Sequence, residues 1–422
     1  MKCHVPFVAF HVPVILKERE PPRFLISMDN TYRNHLASFL KETRRAFHRH
    51  PELAYEERWT TNRIVEILAS LGIQARTFGT LTGATALVGG KAQDGCLALR
   101  ADIDALPIQE ETKHSFVSLN PGQMHACGHD GHIAILLGTA KYLVDSGMAE
   151  QLPGHVKLIF QPAEEGGAGA KRLIEEVRIL EDPPVDWILG CHVSNYQDIN
   201  TIGIYRKQCH AAAESFTLRI HGTSCHAARP QMGCDPIAAA GHFITLIQSG
   251  VARRISPKSA GVVTIGAIHG GIQANIIPDL LEMKGTVRSE DKEVRQALHD
   301  HILAAKTAIE GLFGVTCQLT YDMGYPPNIN DPTVIGMVEE QARALPSVVD
   351  VIELRPETGG EDFAFYSQLK PSGYFKVGTR NEERGYIHPG HSSKFDFDED
   401  GLIVGVEMFI SCIREFMKRH AS

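Results

Sequence analysis

The stretch Ala213-Glu214-Ser215-Phe216-Thr217-Leu218-Arg219-Ile220 decides how the chain is divided. Phe216, Leu218 and Ile220 alternate with polar residues, the period of a strand with one buried face, whereas the chain before it follows a different rhythm. Asp235 then opens a helix as N-cap with Pro236 at the first helical position. Strands at 262–268 and 281–287, a helix near 291–312 and a last strand at 315–321 complete the order βαββαβ, a ferredoxin-like arrangement.

Working outward, the flanks alternate helix and strand. Leu36, Phe39, Leu40 and Phe47 form one helical stripe, and Ile64, Ile67, Leu68 and Leu71 form a second that stops at Gly72. Apolar strands are predicted at 85–88, 96–103, 156–160 and 187–191, with a helix over 131–146. After residue 321, Asp331-Pro332 opens another helix and 373–377 reads as a strand. The expectation is an α/β fold whose mixed, largely parallel sheet is covered by helices, interrupted by the smaller unit. The divisions are an extension at 1–27, a first large-domain part at 28–212, the insert at 213–321 and a second large-domain part at 322–422.

With 422 residues, two domains are expected. A net charge of −8 argues against nucleic acid or an anionic membrane as main partner. No apolar run approaches the roughly 18 residues that span a bilayer. Nine cysteines, an odd number without a CxxC pair, suit a reducing compartment better than a disulfide framework, so free thiols and a cytoplasmic location are expected. Pro6, Pro13, His4 and His11 break the apolar N-terminus, which reads as a loosely attached tail rather than a signal peptide.

The densest chemistry lies in Met124-His125-Ala126-Cys127-Gly128-His129-Asp130-Gly131-His132. Cys127 and His129 are two apart, so a turning loop can aim both at one metal. Alone, either would more often be a core residue, and the clustering reverses that preference. Phe160-Gln161-Pro162-Ala163-Glu164-Glu165-Gly166-Gly167 sets two carboxylates where a strand ends, the usual place for ligands in α/β sheets. One can bind metal while its neighbour takes a proton from water, although an isolated Glu-Glu pair is more often a solvated loop. Arg100-Ala101-Asp102-Ile103-Asp104 closes one predicted strand, and Cys191-His192 closes another. His388-Pro389-Gly390-His391 and Gly359-Gly360-Glu361-Asp362 are late loops that could equally be structural. In the insert, His226, Asn275 and Arg288 are groups suited to polarising a carbonyl or holding a carboxylate, and each alone could equally be structural.

Taken together, from His48-Arg49-His50-Pro51-Glu52-Leu53 to Phe395-Asp396-Phe397-Asp398-Glu399, these motifs resemble the amidohydrolase branch of the M20 metallopeptidase family, which includes hippurate hydrolases, bacterial aminoacylases and auxin-conjugate hydrolases. The resemblance implies a zinc-peptidase-like catalytic domain with an inserted lid that mediates dimers. It implies two divalent metal ions per subunit, zinc or manganese foremost with cobalt or nickel as alternatives, held by Cys127, His129, Glu165, His192 and His391. Glu164 would be general base and then acid, and Asp102 an orienting carboxylate. His226 would stabilise the oxyanion, reaching a neighbouring subunit's site, while Asn275 and Arg288 would hold the substrate carboxylate. Arg100 stands where other branches of the family carry a metal-binding histidine, and Cys225 precedes His226 where relatives commonly have a small residue.

The implied reaction is hydrolysis of N-acyl amino acids, N-acetyl or N-benzoyl for example, to a carboxylic acid and a free amino acid. Three rivals stand beside it: a metallo-dipeptidase or carboxypeptidase of the same family, a thiol hydrolase with Cys127 as nucleophile and His129 as base, and a non-catalytic metal-binding protein.

Overall fold

A computed structural model describes residues 28–90 and 94–420. The expected tail at 1–27 lies outside the described residues. The chain enters with helix α1 (Asn30–His48), whose N-cap Asp29 accepts the backbone N–H of Tyr32, and continues through α2 (Arg58–Ser70). Leu36, Leu40, Phe47, Ile64 and Leu68 are buried, as their helical spacing requires.

An eight-stranded sheet follows. Its strands β1 (Ala75–Phe78), β2 (Leu81–Gly89), β3 (Cys96–Asp102), β4 (His155–Gln161), β5 (Trp187–Asp198) and β6 (Thr201–Ile204) precede the insert. Two more, Asp350–Glu353 and Ser372–Arg380, come after it. The spatial order is β1, β2, β4, β3, β5, Ser372–Arg380, β6, Asp350–Glu353. The centre, from β4 through β3 and β5 to Ser372–Arg380, is parallel. β1 with β2, β2 with β4, and Ser372–Arg380 with β6 are antiparallel, so the sheet is mixed. Helix α3 (His129–Asp145) and the last helix, Leu402–His420, pack on it, and α1 packs against both helices. Every residue of β3 is buried, as expected of a strand covered on both faces.

One local expectation is corrected. His192 does not end its strand, because β5 runs on to Asp198. Pairing of β3 with β5 stops at Arg100 opposite Gly190, while Ser372–Arg380 continues alongside β5 as far as Asp198. Beyond Gly190 one edge of β5 has therefore lost its partner, and His192 stands where the sheet divides. An end-of-strand reading follows from apolarity alone, which falls off where the edge opens.

The inserted unit is a separate antiparallel sheet in the spatial order Gly261–Gly270, Leu280–Ser289, Ala212–His221, Thr316–Tyr325. With helices Pro236–Arg254 and Lys292–Phe313 this is the βαββαβ arrangement, and Asp235 caps the first helix by accepting the N–H groups of Ile237 and Ala238. Phe216, Leu218 and Ile220 enter a core of their own with Phe243, Ile247, Leu298 and Ile302.

Among the described residues, no helix is long and apolar enough to cross a membrane. The described cysteines are all free thiols.

Candidate metal centre

The site forms where the central parallel strands end. Cys127 and His129 flank Gly128, whose φ of 94° belongs to the left-handed region. A Cβ at Gly128 would come within 2.4 Å of Val193 Cγ2, so the absence of a side chain lets the loop turn tightly against β5 and start α3. Ala163 is held at φ 56°, just before the two glutamates. The surrounding structure fixes that turn: Ala163 N–H donates to Glu57 Oε1 at 2.9 Å, Glu165 N–H to Asp104 Oδ2 at 2.9 Å, and Tyr325 O–H to the Glu164 carbonyl at 2.7 Å.

Six residues from four chain segments converge. Potential donor atoms of Cys127, His129 and His192 lie within 4.8 Å of one another, as do those of Cys127, Glu165 and His391, and those of His129, Glu164 and Glu165. The three sets share members, so they form one continuous centre rather than separate ones. Cys127 Sγ is 3.4 Å from His192 Nε2, and His391 Nε2 is 3.1 Å from Glu165 Oε1.

Second contacts set the direction of each imidazole. His129 Nδ1 is 2.8 Å from the Asp104 carbonyl, which leaves Nε2 turned toward the centre. His192 Nδ1 lies 2.5 Å from the Val193 carbonyl and likewise frees its Nε2. Such backing is how proteins fix the tautomer of metal-binding histidines. Asp102 works through the third histidine of the motif: its Oδ1 is 2.5 Å from His132 Nδ1, and His132 Nε2 accepts the Val193 N–H at 2.9 Å. Its other oxygen takes the Arg100 guanidinium at 2.5 Å.

The donor chemistry fits divalent metal. His129 Nε2 is buried without a hydrogen-bond partner among the described residues, although buried polar atoms are normally satisfied, and Glu165 Oε1 has the His391 imidazole beside it. A thiol, imidazoles and a carboxylate suit zinc, and the carboxylate also admits manganese, cobalt or nickel. Burial, aided by the charge of Glu165, pushes the Cys127 thiol up to about 12, opposite to what a free thiolate nucleophile requires. Burial followed by Lys376 holds His192 well below the usual histidine range, in the neutral form that binds metal. Burial, then Glu361, Glu165 and Asp362, pushes the Glu164 carboxyl well above the carboxylate range.

The lid residues stand apart. A cleft of about 500 Å³ is bordered by Cys127, Glu164, Glu165, His192 and His391, but His226, Asn275 and Arg288 do not border it within the single chain. His226 and Asn275 are exposed on the lid. Arg288 is half-buried and donates to Thr286 Oγ1 at 2.5 Å and the Val287 carbonyl at 2.9 Å.

Other neighbours of the site had weaker signals or none. Arg100 is wholly buried, with Nη2 donating to Glu361 at 3.1 Å and Asp362 at 2.8 Å, so the acidic turn quoted from the sequence is the counter-charge of Arg100. Arg44 of α1 donates to Asp130 and Asp396, both at 2.7 Å, tying the start of α3 to the segment beyond His391. Lys376 announces itself only as a charge inside an apolar strand, and Glu57, His210 and Tyr325 carry no motif.

The sequence profile described as peptidase family M20/M25/M40 matches residues 98–415, and the chain belongs to that family of metallohydrolases. It is 38% identical over 360 residues to the N-acetyl-L-cysteine deacetylase of Bacillus subtilis, covering 85% of this chain and 84% of the relative. It is 37% identical over 373 residues to thermostable carboxypeptidase 1 of Saccharolobus solfataricus, covering 88% and 93%. Among solved structures, the YXEP protein of Bacillus subtilis, described as a dinuclear metal-binding peptidase of the M20 family, superposes with a TM-score of 0.79 at 33% identity, covering 91% and 99%.

Proposed function

We propose that this chain hydrolyses the amide bond of N-acyl amino acids, using two divalent ions held by Cys127, His129, Glu165, His192 and His391. The observation that carries the reading is the convergence of these five donors beside Glu164, a buried carboxylate that borders the same cleft. When bound, the ions supply polarisation of the scissile carbonyl and acidification of a water.

Glu164 takes the proton of that water as its oxygen attacks the carbonyl carbon. It then gives the proton to the amide nitrogen, the C–N bond breaks, and a carboxylic acid and an amino acid leave. Asp102 holds His132 against Val193 and so steadies the strand that carries His192. His226 reaches the site from the lid of a neighbouring subunit in a homodimer to stabilise the oxyanion, while Asn275 and Arg288 hold the substrate carboxylate; the exposure of His226 and Asn275 in the single chain is consistent with this.

The dipeptidase reading shares these residues and differs in the acyl pocket. The non-catalytic reading is disfavoured because Glu164 and all five donors are present. The test is hydrolysis of N-acetyl, N-benzoyl and dipeptide substrates by metal-stripped protein, with and without manganese or zinc. Metal-restored cleavage of acyl amino acids is expected; preferred dipeptide cleavage would replace the reading with the peptidase, and silence would remove it.

A further inference from the structure

The donors are bordered by two cavities. The 500 Å³ cleft and a smaller one of about 190 Å³ are both bordered by Cys127, His192 and His391, and both are also bordered by Lys376 and Glu357. Lys376 lies directly across from His192 in the parallel pairing of Ser372–Arg380 with β5. Its ammonium lies over the Tyr374 ring and the residue is only 5% exposed, a position where an unpaired charge carries a large desolvation cost.

The two charges are unequally satisfied. Glu357 receives the Tyr205 hydroxyl, faces His210 Nε2 at 3.8 Å and meets Lys376 Nζ at 3.4 Å. The carboxylate is thus held from three sides. The ammonium has three donors; Glu357 is its one ion-pair partner among the described residues, and the Tyr374 ring centre lies 5.8 Å from Nζ without accepting a conventional hydrogen bond. Donor capacity therefore remains beside the reacting centre, on the sheet rather than on the lid.

The walls of the cleft argue against an aromatic acyl group, and Lys376 is the cationic side chain among them. Pockets for apolar ligand groups are lined mainly by aliphatic and aromatic side chains. Apart from glycines, this cleft is bordered chiefly by ionisable side chains, Asp322, His210 and Glu361 among them, with Ala213 and Tyr325 as exceptions.

We propose that Lys376, fixed by Glu357, is a specificity-determining residue that binds an anionic oxygen on the acyl part of the substrate. The preferred class is then N-acyl amino acids whose acyl group ends in a carboxylate, N-succinyl for instance, rather than N-benzoyl. The inference rests on the N-acyl amino acid reading, in which the α-carboxylate goes to the lid and the acyl part to the sheet.

The experiment uses the full-length, zinc- or manganese-loaded protein and the N-succinyl, N-acetyl and N-benzoyl derivatives of one amino acid. The expected order of kcat/KM is succinyl over acetyl over benzoyl, with succinyl at least tenfold above acetyl and the difference residing in KM. Lys376→Met should collapse the succinyl-to-acetyl ratio toward one, and Lys376→Arg should retain most of it. Succinate binding, read by calorimetry without turnover, should weaken at least tenfold in Lys376→Met. If acetyl substrates are cleaved with no succinyl preference, the proposal falls while the amidohydrolase reading stands. If no amide is cleaved with metal present, that reading falls and takes the proposal with it. The wild-type panel decides the matter even if Lys376→Met does not fold.

Discussion

Replacing Arg100 by methionine should destabilise the large domain severely, and more so at high pH than at low. The guanidinium is 1% exposed and donates to Gln161 and Asp102 at 2.8 and 2.5 Å, and to Glu361 and Asp362 at 3.1 and 2.8 Å. Methionine keeps much of the length and removes every donor. Three buried carboxylates then share no cation, and breaking a buried pair by removing one partner costs about 3–5 kcal/mol. The pH dependence follows from the same arrangement. Losing Arg100 raises the folded-state carboxyl pKa values, and a raised group stabilises the fold only below its unfolded pKa, losing that contribution as pH rises through the folded value. Burial already pushes Asp362 up to about 7 with Arg100 present. The deficit relative to the parent should therefore be largest near pH 8 and shrink toward pH 5. Urea unfolding of the metal-stripped protein, followed by far-ultraviolet circular dichroism at both pH values, measures it. A loss below about 1 kcal/mol at pH 8, within the range of ordinary point substitutions, would refute the role of Arg100 as shared counter-charge.

Three further outcomes are expected. Glu164→Gln should retain metal, measured by elemental analysis, while turnover falls by several orders of magnitude; near-normal turnover would remove Glu164 as the proton carrier. Gly128→Ala should weaken metal binding and lower the unfolding midpoint, since its Cβ meets Val193 at 2.4 Å on a backbone at φ 94°, and unchanged metal affinity would argue against the turn as what aims Cys127 and His129. Glu57 is buried, and burial raises its carboxyl from 4.5 to about 7 against the opposing Thr82 hydroxyl and Ala163 N–H. Its stabilising contribution is present below about pH 4.5 and lost as pH rises through about 7, so Glu57→Gln should match the parent at low pH and exceed it by roughly 3 kcal/mol at pH 8, at about 1.4 kcal/mol per unit. An equal difference at both pH values in urea titrations would contradict this.

The sequence was most legible where one element's period or chemistry is self-contained. The alternation of Phe216, Leu218 and Ile220 marked the inserted sheet because its core is its own, and Cys127 with His129 pointed to the candidate centre because one tight turn carries both. What depended on pairing between distant strands was not legible. Apolar runs do not state direction, so the reversed β2, β6 and Asp350–Glu353 within the sheet had no signal. Nor did the position of Lys376 across from His192, which exists only through sheet register. Arg100 could be read as a missing ligand but not as a counter-charge, because Glu361 and Asp362 arrive from beyond the insert.

That interrupted layout also orders the assembly of the site in time. Cys127, His129, Glu165 and His192 are synthesised before the lid, whereas His391 and the second half of the large sheet come after it. A chain emerging from the ribosome holds most of its donors while β5 still lacks the strand Ser372–Arg380. The lid, with its own core, can fold first. Closure of the centre thus becomes a late event, and a full complement of donors marks a chain that has been completed and correctly folded back on itself.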